Sequence, residues 1–210
     1  MNLPLVQELL GSRTSSGVES QHSSPRFIAT RPYGTFPPSK LQTHMTAGQL
    51  RGPGRFALSP LALIREGFGQ TRVGAEGEAE HTSGGEADAH VIYHLGRFLC
   101  GHEGIIHGGL LATICDEALA VIGFRHFQSK VGVTVRLEID YRSPAVPDRF
   151  VGVQVRLIRD QSSPRKAVVV GTMRDLETDK VLVDAKAIFV EPRDARLNAS
   201  LAGSPNASRP

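Results

Sequence analysis

Residues 101–122 read GHEGIIHGGLLATICDEALAVI, and the rest of the chain is arranged around them. Gly108 and Gly109 follow His107 and precede an apolar run with helical spacing: Leu110, Leu111, Ile114, Ala118, Val121 and Ile122. That spacing predicts a helix opened by the glycine pair. Amides in a first helical turn have no intrahelical acceptor and lie at the positive end of the macrodipole, so they suit an anion or a polarised carbonyl oxygen. Glycine there lets a ligand reach the backbone. At about 100° per residue, Gly109, Ala112, Thr113, Asp116 and Ala120 fall opposite the large apolar side chains. A solvent-facing helix surface carries Lys, Glu and Arg. Small residues around one acid imply instead the close approach of another surface, a cleft or a partner subunit. A carboxylate there is costly unless it is paired or has a task, which makes Asp116 the first candidate for chemistry.

Downstream segments alternate with period two. Ala89–Leu95 is a short strand, and Val131–Arg142 is the clearest one: Val131, Val133, Val135, Leu137, Ile139 and Tyr141 fall on one face, with Gly132, Thr134, Arg136, Glu138, Asp140 and Arg142 on the other. After a turn at residues 143–148, Phe150–Ile158, Lys166–Met173 and Val181–Val190 alternate as further strands. The order is strand, long helix, then four strands read as a meander. An antiparallel sheet curled around one apolar helix satisfies this order.

The segment HGGLLATICDEAL, residues 107–119, resembles the signature of hot-dog-fold thioesterases, the 4-hydroxybenzoyl-CoA thioesterase superfamily. It is similar to the branch with His-Gly-Gly followed seven residues later by Asp, which includes phenylacetate-pathway thioesterases and relatives of mitochondrial acyl-CoA hydrolases. VGVTVRLEIDYRSPAVP, residues 131–147, resembles the strand that follows the helix in that branch. The resemblance covers about Gly96 to Pro147, and the later strands carry it to about Glu191.

It implies an α+β hot-dog fold, an antiparallel sheet around one long central helix, that forms a homodimer or dimer of dimers. It also implies hydrolysis of an acyl-CoA or a carrier-bound acyl thioester, within fatty acid metabolism. Asp116 would act as general base or nucleophile, and the Gly108 and Gly109 amides would polarise the carbonyl, with Gly109 the preferred donor. His107 would orient the carbonyl side and Thr134 would position Asp116 or the water. His102, Arg142 and Ser143 are the candidate contacts to coenzyme A, with Arg136, Arg156, Arg165 and Lys166 as rival cations. Asp116 lies about 10 Å along the helix from Gly109, so the acid is expected to serve a thioester held by the other subunit's glycines. No cofactor is implied; coenzyme A enters as part of the substrate. A hydratase or dehydratase of acyl thioesters, or a non-catalytic acyl-CoA-binding module, are the alternative readings.

The remaining sequence sets bounds. The chain has 210 residues, 40% hydrophobic and 21% charged, which suits one globular domain with extensions. A net charge of +3 demands no nucleic acid partner. Residues 1–48, rich in Ser, Pro and Thr, read as a flexible or targeting arm, 49–193 as the hot-dog domain, and 194–210 as a disordered tail. A Gly- and Glu-rich run at 69–88, with Glu76, Glu78, Glu80 and Glu86, reads as a mobile loop. Cys100 and Cys115 have neither metal spacing nor a disulfide framework and read as core residues. His90 and His94, four apart on a strand without a third ligand, give no metal site. No window reaches a membrane span. An intracellular protein, cytoplasmic or mitochondrial and not secreted, is expected.

Overall fold

The computed structural model describes residues 4–10, 26–69 and 86–193. The expected tail and most of the Gly- and Glu-rich loop lie outside these residues. In chain order the elements are α1 (Pro4–Leu10), β1 (Phe27–Thr30), α2 (Pro38–Thr43), a π-helical turn (Met45–Gln49), β2 (Leu61–Arg65), β3 (Ala89–Leu95), a small hairpin of β4 (Cys100–His102) and β5 (Ile105–Ile106), then α3 (Gly108–His126). Four long strands follow: β6 (Val133–Tyr141), β7 (Arg149–Leu157), β8 (Lys166–Asp175) and β9 (Val181–Val190). No helix among the described residues is long and apolar enough to cross a membrane.

Seven strands form one antiparallel sheet in the order β1-β2-β3-β7-β8-β9-β6. Its inner face wraps α3, which packs on β3, β6, β7, β8 and β9. This is the hot-dog arrangement. Leu110, Leu111, Ile114, Cys115, Ala118, Leu119, Ile122 and Gly123 of α3 are buried against Val91, Val153, Val169, Met173, Ala187 and Phe189 of the strands. The helix is apolar nearly all round because the sheet surrounds it, and the positions left partly exposed include its small-residue flank and Glu117.

Two sequence expectations are corrected by the sheet. The four strands after the helix are not a simple meander: β7, β8 and β9 are, but β6 crosses to the far edge and pairs with β9. Strict alternation along β6 also fails. The register slips between Thr134 and Arg136, so Thr134 is opposite the buried Phe189, while Leu137 and Ile139 are opposite Ala187 and Ala185. One extra residue in an antiparallel ladder turns the chain over locally. The bulge therefore brings Thr134 to the helix face and leaves Val133 and Val135 45% and 56% exposed on the sheet edge.

Residues 26–48 of the expected arm are described and carry structure, while residues 11–25 lie outside the described residues. β1 pairs with β2, and Leu50 packs on the main core. On the outer sheet face Val6 of α1 joins Leu61, Leu63 and Ile92, with Phe27, Phe150 and Leu176 packed around them. That second small core explains why β2, LALIR, is apolar on both faces. His90 and His94 face the same side, their rings edge-on to Phe27 and Phe150 at 5.4 and 5.0 Å. At the far end of the expected loop, Glu86 ion-pairs with Arg65 at 3.1 Å, and Asp88 is buried, accepting from Leu157 N at 2.8 Å.

Candidate functional site

The helix start and the strand end build a cleft. Gly101, His102, Ile105, Ile106, His107, Gly108, Leu111 and residues 141–145 line a volume of about 430 Å³. Tyr141 Oη donates to Gly108 O at 2.8 Å, which ties the end of β6 to the first turn of α3. His107 is the N-cap: its Nδ1 accepts from Gly109 N at 2.9 Å. In a neutral ring that bond puts the proton on Nε2, leaving one donor for a ligand. It also occupies the amide of Gly109, the donor preferred from sequence. The Gly108 N–H has no acceptor among the described residues. The first glycine, rather than the second, therefore offers the open amide at the positive helix end.

Of the three candidate contacts to coenzyme A, His102, Arg142 and Ser143 all line this cleft. The Arg142 guanidinium is committed to acids, with Nε 2.8 Å from Asp184 and an Nη 3.7 Å from Asp140. His102 and Ser143 are the less engaged polar groups.

Asp116 and Thr134 are not in that cleft. They meet two turns further along α3, where Thr134 Oγ1 donates to Asp116 Oδ1 at 2.9 Å. Asp116 is half-buried, and burial raises its pKa above the ordinary 3.8, while the Thr134 bond pulls the other way. A carboxylate so placed is a stronger base than one in water.

One acid was missed from sequence. Glu117 follows Asp116 and points to the other flank of α3, where its Oε1 accepts from Thr46 Oγ1 at 2.5 Å. Tyr33 reaches the same carboxyl, and Tyr93 is fully buried nearby. Glu117 Oε2 is buried and has no hydrogen-bond partner among the described residues. Burial is the largest cause raising the Glu117 pKa; the Thr46 and Tyr33 contacts oppose it, and the Asp116 charge adds to it. The signal lay in the helical pattern: position 117 is three after Ile114 and four before Val121, within the apolar stripe.

Residues 103–163 match the thioesterase superfamily. A mitochondrial protein of Candida albicans is 31% identical over 163 residues, spanning 75% of this chain and 64% of that protein. A protein of Schizosaccharomyces pombe is 34% identical over 110 residues, spanning 51% and 62%. The chain thus spans less than two thirds of the length of these curated relatives. Among solved structures, a Bacillus halodurans protein determined with CoA aligns at a TM-score of 0.42 and 19% identity, over 48% of this chain and 65% of that one.

Proposed function

We propose that this chain, whose residues 103–163 match the thioesterase superfamily, hydrolyses an acyl-CoA or carrier-bound acyl thioester to a free acid and a thiol. The observation that carries the reading is the half-buried Asp116, raised in basicity and oriented by Thr134, on the same helix that opens with the free Gly108 amide. Gly108 N–H polarises the thioester carbonyl, and His107 Nε2–H donates from the N-cap to the same end of the substrate. Asp116 either takes a proton from water as it adds to the carbonyl carbon or attacks that carbon itself. Both routes break the C–S bond, release the thiolate, and leave the acyl group as acid, directly or after hydrolysis of an anhydride. His102 and Ser143, with Arg142 through any donor its two acids leave free, hold the coenzyme A end.

Asp116 and the glycine cleft lie apart in one chain, which supports a two-chain site. Among the described residues β6 is a terminal strand, and its outer edge carries exposed Val133, Val135 and Tyr141. A second copy joined along this edge brings its cleft to Asp116 and covers the apolar side chains. The Candida relative's mitochondrial description supports a mitochondrial setting; acyl chains of fatty acid metabolism are the substrates proposed for it.

Thiol release from short, medium and long acyl-CoAs by the full chain tests the reading, with Asp116→Asn beside the parent. A loss of about 10² or more in turnover with the oligomer intact supports Asp116 as the acid. Equal rates sink that assignment, and acyl-CoA binding without thiol release replaces the hydrolase by a binding module.

A further inference from the structure

Residues 31–50 lie between β1 and β2 and reach the Glu117 flank of α3 through Thr46, as a strap. The strap has its own internal order. Tyr33, Phe36 and His44 form a ring cluster with centroids 4.6 to 5.9 Å apart. His44 Nδ1 accepts from Ala47 N at 3.2 Å and caps the π-helical turn. Gly48 fits this turn because a Cβ there would lie 1.7 Å from Leu41 O. These features converge on one side chain. With His44 Nδ1 engaged as an acceptor, the Thr46 hydroxyl has Glu117 as the taker of its proton, and Thr46 is only 5% exposed. π-helical turns are uncommon and recur at functional sites.

The helical turn of residues 116–117 is thus clamped from both sides, by Thr134 from the sheet edge and by Thr46 from the strap. We propose that Glu117 is a positioning residue: it joins the strap to α3 and fixes the orientation of Asp116 toward the thioester. The inference rests on the assignment of Asp116 as the reacting acid. Bonds to two consecutive residues, whose side chains leave the helix about 100° apart, restrain rotation of the helix about its axis more than a single bond at Asp116 does. Small displacements of a reacting group cost rate steeply, up to about 10²-fold for about 1 Å, without weakening substrate binding in proportion.

The test uses the full chain with Thr46→Val, Glu117→Ala, Glu117→Gln and Asp116→Asn. Acyl-CoA hydrolysis gives kcat and KM, and amide hydrogen exchange over residues 33–50 reports the strap independently of activity. Thr46→Val and Glu117→Ala are expected to speed exchange in the strap and lower kcat about tenfold, with KM within about twofold. Glu117→Gln, whose amide oxygen still accepts from Thr46, is expected to restore both. A strap loosened by Glu117→Ala with kcat unchanged overturns the proposal. So does a Glu117→Gln enzyme that is inactive with its strap still protected, since the carboxylate would then act itself. Parent-like turnover in Asp116→Asn is a different failure: it removes the site assignment, and the exchange data then describe a purely structural latch.

Discussion

Asp116 and Glu117 are consecutive on α3, and each accepts from a threonine hydroxyl, Thr134 at 2.9 Å and Thr46 at 2.5 Å. Their surroundings differ. Thr134 is exposed on the strand that ends the sheet among the described residues, so Asp116 keeps access to solvent and to an incoming molecule. Thr46 is buried under the strap, and Glu117 is closed off with one oxygen unpartnered. Both carboxyls resist ionisation because of burial, but Glu117 also feels the charge of Asp116. In the proposed mechanism the pair separates two tasks on one helical turn: the accessible acid ionises for chemistry, and the enclosed one holds the scaffold.

The strongest way to break this comparison is to neutralise each acid in turn. Asp116→Asn is expected to lower kcat for acyl-CoA hydrolysis by about 10² or more. Glu117→Gln is expected to stay within about threefold, because only the charge and not the acceptor is lost. Comparable losses in the two variants would end the division of labour. Steady-state thiol release by both proteins decides it.

Stability should show the reverse order. Thr46→Val leaves a buried carboxyl oxygen without its donor and should cost about 1–3 kcal/mol in denaturant unfolding. Thr134→Val removes a bond at an exposed edge and should cost under about 1 kcal/mol. If Thr134→Val proves the more destabilising, the edge bond is a structural element and Asp116 loses its special status.

The two acids also differ in how far they were legible. The helix and the strand pattern could be read from the sequence, because they follow from local periodicity and glycine placement, and the His107-to-Asp116 motif from its resemblance to hot-dog thioesterases. Thr134 was singled out, but on the wrong face. Nothing in an alternating pattern announces that the register slips between Thr134 and Arg136. The crossing of β6 to the far edge was equally hidden, since alternation fixes which side chains are inward and not which strand is the neighbour. Thr46 and Tyr33 were lost because a Ser-, Pro- and Thr-rich composition reads as an arm. Their burial comes from long-range contact with Glu117, 71 residues away from Thr46. Gly109 was preferred as the free donor because helix geometry alone leaves it open. The ring of His107 folding back onto it is a side-chain event that spacing does not encode.

A finer test concerns the acid limb of hydrolysis. As the proposed base or nucleophile Asp116 must be ionised to act, and burial raises its pKa while Thr134 lowers it. Activity should therefore rise with pH through a midpoint above the ordinary 3.8. Thr134→Val removes the opposing hydrogen bond, so its midpoint moves to higher pH. A kcat/KM profile that moves down or stays fixed would mean that Thr134 does not act on the ionisation of Asp116.

The smallest expected effect is on thermal stability, and its sign separates Glu117 from ordinary surface acids. The folded protein raises the Glu117 pKa above the ordinary 4.5, mainly through burial. Below that ordinary value both folded and unfolded chains hold the proton and nothing is lost. As pH rises past it, the unfolded chain releases its proton first, so this contribution to stability declines until the folded carboxyl also ionises. Glutamine has no proton to release. The Tm of Glu117→Gln relative to the parent should therefore increase from the ordinary carboxylate range toward neutral pH. The shift of Asp116 runs in the same direction, and because the two carboxylates repel each other, loss of the Glu117 charge adds to the same slope. A carboxylate stabilised by a cation would give the opposite slope, with the glutamine variant falling behind as pH rises. Calorimetric scans of the two proteins at several pH values distinguish these slopes, and a falling difference would show that the enclosed acid is held in its charged form.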